Sequence, residues 1–387
     1  MYPTLSHLIY DLFGVNIPLP IQTFGLWVAI AFIAAAGIVS VELKRKESEG
    51  LLSPTKVKEI LGEKLSIKEI INSLLFGFLI GFKGFEALFH YGDLVANPQA
   101  FILSNRGNYL GGVLIAMISI YLKWKENKKN RLDIPKEIEK TVHPFELAGN
   151  MTIIAAISGV IGAKIFHNLE NIDAFLADPI GQLISFSGLT FYGGLIAGAI
   201  SVIWYAKKYN ITIKYLIDSS APALMLAYGI GRIGCQMSGD GDWGIDNLAP
   251  KPDWMSFLPD WMWSYNFPHN VINAGIPIEG CTGNFCMQLA NPVWPTAFYE
   301  VVMSIILFLI LWSIRKHITV PGALFFIYLV FNGLERFFIE KIRINTEYNI
   351  FGGITQAEII STLLILFGIL GITILYIQNS KTQSQKK

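Results

Sequence analysis

Three arginines and several carboxylates interrupt stretches of the chain that are otherwise apolar. Arg232 lies in the glycine-rich run 229–234, and Arg336, Glu340 and Arg343 follow one another at i, i+4 and i+7. That spacing predicts one face of a helix. Because a guanidinium fork matches phosphate oxygens with paired hydrogen bonds, arginines that converge predict a phosphate site. A purely structural salt bridge between Arg336 and Glu340 is the alternative.

Further acids stand close to these arginines in the sequence. Asp240 and Asp242 follow the Arg232 run directly, and Glu300 begins another apolar stretch after Tyr299. No spacing of His and Cys is typical of a metal site. Phosphate-binding glycine loops, dinucleotide fingerprints and nucleophile elbows are also missing from the sequence. The residues therefore predict a site made of arginines and carboxylates, without a metal.

The composition places these residues in a membrane. Hydrophobic residues make up 52% of the 387, and charged residues only 15%, where globular proteins have about 25%. A net charge of +1 gives no general electrostatic reason to bind nucleic acid. We predict an all-α, polytopic helical bundle of about nine spans, each long and apolar enough to cross a bilayer. The predicted spans are near 23–42, 69–90, 108–123, 148–167, 188–206, 216–234, 295–314, 320–340 and 354–377.

Basic residues are distributed unevenly among the connections. They are dense after the first and third spans and in the tail 378–387, whereas residues 1–22 contain none and 240–293 only Lys251. Because Lys and Arg stay on the cytoplasmic side, we expect the N-terminus outside and the C-terminus in the cytoplasm. No basic region precedes the first apolar run, so we expect that run to remain as an anchor and not as a cleaved signal peptide.

The long connection 240–293 is predicted to form a small external head or arm between spans six and seven. It is rich in Trp and Pro, and Trp is typical of the membrane–water boundary. Cys281 and Cys286 lie in it, in a compartment that permits disulfides. A bridge and two free thiols are both open. We treat 1–377 as a single membrane domain.

The chain contains an internal duplication. At an offset of 81, Lys83 pairs with Lys164 and Ser104 with Ser185; after a one-residue slip, Gly111-Gly112 meets Gly193-Gly194. Each unit is predicted to be a span, an external loop and a returning span. The unit at 69–146 is then an extra copy. Parallel repeats also occur in transporters, which keeps that class open.

Several motifs resemble those of one enzyme family, in family order. The run GRIGCQMSGDGDWG at 231–244 resembles the signature G-R-x-G-N-F-x-N-G-E-x-x-G of bacterial prolipoprotein diacylglyceryl transferases. FYGGLI at 191–196 resembles F-H-G-G-L-I, and WPTAFYE at 294–300 resembles H-P-[ST]-Q-L-Y-E. RFFIE at 336–340 is similar to R-x-x-x-E, and GITQAE at 353–358 to G-I-[TS]-x-x-Q. The resemblance covers about 20–45 and 147–377, and the extra unit is not part of the usual seven-span family.

The resemblance implies a transferase of the bacterial cytoplasmic (inner) membrane. It would move the diacylglyceryl group of phosphatidylglycerol to the lipobox cysteine of a prolipoprotein signal peptide, the first step of lipoprotein maturation, with no metal or organic cofactor. The implied catalytic residues are Tyr192, Arg232, Asp240, Arg336 and Glu340. The implied substrate-binding residues are Phe24, Gly193, Gly194, Gly231, Gly244, Tyr299, Glu300, Arg343 and Glu358.

Four positions depart from the family pattern. Tyr192 stands where the family has His, Cys235 where it has Asn, and Phe24 where it has Tyr; Asp240 is the acid, with one residue inserted before Trp243. A tyrosine of pKa about 10 is a poor base at neutral pH. Two alternatives therefore remain: an inactive lipid-binding paralogue and, less favoured, a transporter built on the duplicated unit.

Overall fold

The computed structural model of the protein describes residues 1–185, 188, 190–345, 347–348 and 353–386. Within these residues, nine long helices lie where the nine spans were predicted, and the all-α bundle is confirmed. The nine are α2 (Thr23–Ser48), α3 (Ile67–Phe89), α6 (Tyr109–Asn130), α7 (Ala148–Glu170), α10 (Phe191–Lys208), α11 (Ile213–Ser238), α12 (Thr296–Ile314), α13 (Ala323–Glu340) and α14 (Gln356–Lys386). The predicted tail continues α14 as far as Lys386, and Lys387 lies outside the described residues.

Five of these helices, counted over the described residues, are long and apolar enough to cross a membrane: α2, α3, α7 with the turn before it, α12 and α14. The helix α13 is long enough but carries Glu335, Arg336 and Glu340, and α11 carries Asp218 and Arg232. These charges lower the apolar content of the two helices that hold the predicted arginines. The protein is a multi-pass membrane protein, and the number nine stays a prediction.

Short elements connect the long helices. They are the helices α1 (Leu5–Phe13), α4 (Tyr91–Ala96), α5 (Pro98–Leu103), α8 (Ile172–Ala177) and α9 (Pro179–Ile184), the strands β1 (Thr55–Leu61), β2 (Lys136–Val142), β3 (Ile276–Pro277), β4 (Met287–Gln288), β5 (Glu347–Tyr348) and β6 (Ile354–Thr355), and the 3-10 turns Pro144–Leu147, Asp253–Met255 and Asp260–Met262. The strands pair in order as three small antiparallel sheets, β1 with β2, β3 with β4 and β5 with β6.

The two parts of the predicted duplication have the same order of helices. The elements α3, α4 and α5 recur as α7, α8 and α9 with an offset of 81, and the returning helices α6 and α10 start 82 residues apart. Both copies begin their third helix in the same way: Pro98 and Pro179 occupy the first turn, while the side chains of Asn97 and Asp178 accept a backbone N–H. Such caps satisfy donors that the helix itself leaves unpaired.

Glycines hold the two helices of each copy together. A Cβ on Gly81 would collide with the backbone of Gly111, and one on Gly162 would lie 2.5 Å from the carbonyl oxygen of Gly193. A lysine then closes each loop: Lys83 Nζ donates to Ser104 Oγ at 3.2 Å, and Lys164 Nζ to Ser185 Oγ at 2.8 Å. Both hairpins therefore have the same close helix contact and the same loop closure.

The helices that carry the predicted arginines and carboxylates are grouped around α11. This helix packs against α2 and α12, while α13 packs against α14. One apolar cluster of α11, α12 and α13 is formed by Ala221, Met225, Leu311 and Leu324. The extra hairpin, formed by α3 and α6, is connected to these helices through the sheet of β1 and β2, which pairs Thr55 with Val142.

The segment 240–293 forms a compact head that is largely irregular. Its centre is Trp243, Phe267 and Val293, and the fully buried Asn270 amide donates to the carbonyls of Phe267, Ala274 and Met287. Cys281 and Cys286 form a disulfide, which resolves the alternative left open by the sequence. The first residue of the chain also contacts the head, because the Met1 amine donates to Pro268 O at 2.9 Å.

Candidate active site

Glu300 is the centre of an ionic cluster at one end of the bundle. It stands in the first turns of α12 with a fully buried side chain. Three arginines surround its carboxylate: Arg232 Nε lies 3.1 Å from Oε2, while Arg336 Nη1 and Arg343 Nη1 lie 3.1 and 3.5 Å from Oε1. The Tyr228 hydroxyl also donates to Oε1, at 2.8 Å. The structure thus brings the three arginines together at one carboxylate.

Each arginine has a second acidic partner. Arg232 and Arg343 both pair with Asp242, and Arg336 Nη2 lies 3.1 Å from Glu340 Oε2. The salt bridge between Arg336 and Glu340 thus exists, but it is one contact of a larger network. The guanidinium side chains remain 10–22% exposed, so the arginines are accessible from the end of the bundle.

Arg343 reaches the cluster in a different way from the sequence-based expectation. The helix α13 ends at Glu340, so Arg343 lies in the turn beyond it and not on a shared helical face. Backbone pairing fixes this turn, because Gly244 of the head forms a β-bridge with Arg343. A Cβ on Gly244 would collide with the carbonyl oxygen of Ile342. Gly244 therefore allows two chain segments to approach closely and so positions Arg343.

Asp240 lies beside the cluster, next to Cys235 and Asp242. Each of the three offers one atom that could bind a metal ion, and these three atoms lie within 4.8 Å of one another. Asp242 is already paired with two guanidinium groups, which disfavours a cation at this place. Burial, and then the negative charge of Asp242, raises the pKa of the Asp240 carboxyl. A carboxyl with a raised pKa can take up a proton closer to neutral pH than an ordinary aspartate.

Tyr192 occupies the first turn of α10, is half-buried, and faces Arg336 and Glu340. Tyr192 therefore lies close enough to the arginine cluster to interact with it electrostatically. The two glycines after it have a different environment from the predicted one. A Cβ on Gly193 would lie 2.5 Å from Gly162 O, and one on Gly194 would lie 3.0 Å from Gly159 O. Both glycines contact α7, and their close packing positions Tyr192.

Other predicted binding residues lie around the cluster or apart from it. A Cβ on Gly231 would meet nothing within 4 Å, which leaves room beside Arg232. Phe24 is 42% exposed on α2. The Tyr299 hydroxyl donates to Met262 O at 2.9 Å and so holds the head to α12. Glu358 pairs with Lys341, and its Oε2 accepts the Thr355 N–H at 3.0 Å, so it caps α14.

Two residues of the cluster were not predicted. Tyr228 lies one helical turn before Arg232, and the Arg232 guanidinium carbon is 5.1 Å from the centre of its ring. Glu335 is adjacent to Arg336, is 4% exposed, and faces Tyr228, Glu300 and Arg232. The i, i+4 spacing of Tyr228 and Arg232 was a usable signal. Glu335 gave no such signal, because neighbouring residues on a helix point in different directions.

The geometry describes a membrane protein whose partly buried arginines can bind an anion. Three guanidinium groups at one depth of the bundle can donate several charge-assisted hydrogen bonds to phosphate oxygens. In a site with little water, this positive charge also stabilises negative charge that develops on a leaving group. The fold and the site thus define a multi-pass membrane protein with an arginine–carboxylate centre.

Sequence comparisons assign this centre to a family. The profile of prolipoprotein diacylglyceryl transferases matches residues 108–374. A phosphatidylglycerol–prolipoprotein diacylglyceryl transferase of Clostridium novyi is 29% identical over 294 residues, 75% of this chain and 100% of the relative. Proteins of the same name from Vibrio vulnificus and Oceanobacillus iheyensis are 30% and 27% identical, over 67% and 72% of this chain and 82% and 86% of their own length. The chain belongs to the prolipoprotein diacylglyceryl transferase family.

Proposed function

We propose that the protein transfers the diacylglyceryl group of phosphatidylglycerol to the cysteine thiol of a prolipoprotein. The observation that carries this proposal is the convergence of Arg232, Arg336 and Arg343 on one buried carboxylate, Glu300. Phosphatidylglycerol has one phosphodiester, and the phosphate leaves with glycerol when the reaction is complete. Arginines that can bind the phosphate before and after bond cleavage are the groups this chemistry needs.

The proposed reaction proceeds by displacement at carbon. The sulfur of the lipobox cysteine attacks the diacylglycerol carbon that carries the phosphate oxygen. A C–S bond forms, the C–O bond breaks, and glycerol phosphate leaves. Because the thiolate is the nucleophile, the thiol proton has to be removed. The proton goes to a carboxylate, for which Asp240 and Glu340 are the candidates, and is returned to the departing phosphate.

Tyr192 has the position to donate a hydrogen bond to a phosphate oxygen. Its side chain faces Arg336, and an uncharged phenol is a donor at neutral pH. Gly231 leaves open space next to Arg232, and Phe24 packs against Gly234, which is on the same helix as Arg232; we propose that both contact the lipid or the incoming peptide. The substrates proposed here are phosphatidylglycerol and precursor signal peptides with a lipobox cysteine.

We further propose that the enzyme lies in the bacterial cytoplasmic membrane, with its N-terminus and head outside and its C-terminus inside. The support is the density of Lys and Arg after the first and third spans. Single cysteines at Asn130 and Ala274 test the orientation in intact cells. An impermeant thiol reagent should label the Ala274 variant and not the Asn130 variant. Labelling of Asn130 from outside would contradict the proposed orientation.

Complementation tests the activity. The chain is expressed in a bacterium depleted of its own transferase, with the Arg232→Lys and Arg336→Lys variants beside it. Growth with a lipidated precursor supports the transferase. We expect each Lys variant to lose transfer by about 10- to 100-fold, because one ammonium group cannot replace the guanidinium fork.

One observation favours a second function, that of an inactive lipid-binding paralogue: a tyrosine stands at position 192, where the family pattern has the histidine. That protein would bind phosphatidylglycerol through the same arginines without transferring it. Normal membrane insertion, lipid binding and no rescue of growth would favour this second function.

A further inference from the structure

Glu335 is a buried acid that the proposed reaction does not use. It lies on α13 next to Arg336, and its side chain is 4% exposed. Neither carboxylate oxygen accepts a well-formed hydrogen bond from the residues that the structure describes, and the neighbouring Tyr228 hydroxyl donates to Glu300. A carboxylate that is buried without partners is strongly disfavoured unless it is neutral or its charge is needed. A role for this acid therefore has to explain why it lies at the arginine centre.

Titratable and charged groups face Glu335 from the helices packed around it. Tyr228 and Arg232 do so from α11, Glu300 from α12, and Arg336 from α13 itself; Tyr328, also on α13, is a further neighbour. The acid in the first turn of α14, Glu358, is paired with Lys341.

The two neighbouring arginines already have other acidic partners. Arg232 pairs with Asp242 and Glu300, and Arg336 pairs with Glu300 and Glu340. The Tyr228 hydroxyl donates to Glu300. The groups that could stabilise a charge on Glu335 are thus engaged elsewhere in the cluster.

The charges of the cluster do not suit an anionic ligand if every acid is ionised. Three arginines, Arg232, Arg336 and Arg343, are surrounded by five acids, namely Asp240, Asp242, Glu300, Glu335 and Glu340. The fully ionised cluster is therefore negative, although the ligand of the proposed function is also negative. Negative charges that lie close together in a poorly solvated site repel one another strongly. An anion can bind favourably only when protons neutralise part of this net negative charge.

We infer that Glu335 holds a proton when phosphatidylglycerol binds, so that binding of the phosphate is coupled to proton uptake at this carboxyl. Glu335 is the choice among the five acids because the other four have arginine, asparagine or backbone partners in the cluster, whereas its own oxygens have neither an ion pair nor a well-formed hydrogen bond in the described residues. It acts through charge on Arg232 and Arg336 and is a positioning residue. The inference rests on the proposed function for the identity of the lipid.

The sign of the pH dependence follows directly. Protonated Glu335 makes the site less negative, so the anionic lipid binds best at low pH. As pH rises and the proton leaves, affinity should fall by up to about tenfold per pH unit, the limit for one linked proton. The phosphodiester itself stays a monoanion over this range and contributes no such change.

Calorimetry measures the linked proton directly. A short-chain phosphatidylglycerol is titrated into the whole protein in detergent, from pH 6 to pH 9, in buffers of different ionisation enthalpy. The wild type should take up a proton on binding over part of this range. Glu335→Gln, which has the shape of the neutral acid, should take up none there and should keep the low-pH affinity at high pH. Glu279→Gln, an exposed head acid, is the matched control and should behave as the wild type.

The outcomes separate the inference from the proposed activity. Proton uptake that persists in Glu335→Gln, or the same pH dependence of affinity in that variant, would overturn the inference. Loss of lipid binding by a folded Glu335→Gln protein at every pH would also overturn it, because it would mean that the charged acid is required. Linked uptake without any transfer to a lipobox peptide would leave the inference standing and reject the transferase. A wild-type protein that binds no phosphatidylglycerol contradicts both.

Discussion

The two hairpins α3–α6 and α7–α10 have one architecture and different neighbours. In both, glycines bring the helices together, and a lysine closes the loop on a serine. At the start of the returning helix, however, the second hairpin has Tyr192, which faces Arg336 and Glu340. The first has Leu110 at the equivalent place, and its side chain is 84% exposed. The two hairpins thus share their helix packing and loop closure, but only the second has a polar side chain, Tyr192, that faces the arginine cluster.

The surroundings of the two copies explain this difference. The helix α7 packs on α2, and α10 contacts α11, which carries Arg232. The buried residues of α3 and α6 are small and lie where these two helices meet, among them Gly77, Gly81, Gly112 and Ala116. The outer surface of the extra hairpin is apolar and exposed, which suits lipid. A hairpin of this kind therefore becomes part of the site only where it meets α11 and α13.

The largest expected effect comes from opening one hairpin and not the other. A Val side chain at Gly162 should push α10 away and displace Tyr192 from the arginines, and a shift near 1 Å can cost about 100-fold in rate. Gly81→Val should open the extra hairpin and change transfer less than about threefold, since no residue of that hairpin contacts the cluster in our description. Transfer to a lipobox peptide, with size-exclusion profiles to check folding, measures both. Equal losses in the two variants would mean that the extra hairpin supports the site.

The next prediction asks whether the group that removes the thiol proton lies in the second hairpin, at Tyr192, or outside it, at Asp240. Because burial raises the pKa of Asp240, an Asp240 base should become protonated at a higher pH than an ordinary aspartate, whose pKa is about 3.9. Transfer should then decline as pH falls through that raised value. Asp240→Asn should lose about 100-fold in rate at neutral pH, and its rate should no longer decline at low pH; this decline is the acid limb of the pH–rate profile. Tyr192→Phe should retain the acid limb. A limb that survives in Asp240→Asn would exclude Asp240 and leave Glu340 as the base.

Tyr192 itself should contribute somewhat less. Loss of one hydrogen bond to a charged phosphate costs about 1.5–3 kcal/mol, so Tyr192→Phe should reduce transfer by about 10- to 100-fold at every pH. Tyr192→His should keep substantial activity, since imidazole can also donate. Leu110→Phe, at the equivalent position of the other hairpin, is the control and should have no effect. If Tyr192→Phe transfers as fast as the wild type, Tyr192 only fills space.

The sequence predicted the long helices, the duplication and the convergence of the arginines because each leaves a local or periodic signal. Arg232 interrupts a glycine-rich apolar run, and matched Lys, Ser and Gly-Gly positions reveal the repeat. Glu335 could not be predicted as part of the site. Its importance depends on the absence of partners, which is a property of the packed cluster and not of the residue order.

The sheet of β1 and β2 was also missed, for a different reason. Its strands, TKVKEIL and KEIEKTV, mix charged and apolar residues without a strict alternation, so the period of two that predicts a strand is weak. The pairing partners are about 80 residues apart in sequence, so neither strand is evident alone. The motif predicted that Gly193 and Gly194 contact the substrate, whereas both pack against α7. A sequence motif specifies the residue type at a position but not which surface that residue contacts.

The smallest expected effect concerns this sheet, which links the two hairpins. Lys58 Nζ lies 2.6 Å from Glu137 Oε1, with both side chains more than half exposed. Exposed ion pairs contribute about 0–1 kcal/mol and weaken with salt. Lys58→Ala should therefore lower the Tm in detergent by less than about 2 °C, and high salt should remove the difference. Lys136→Ala, on the paired strand and without an ion pair in the described residues, is the matched control. A loss of several degrees that persists in high salt would mean that the sheet fixes the extra hairpin rigidly to the body, and the independence of the two hairpins would then be wrong.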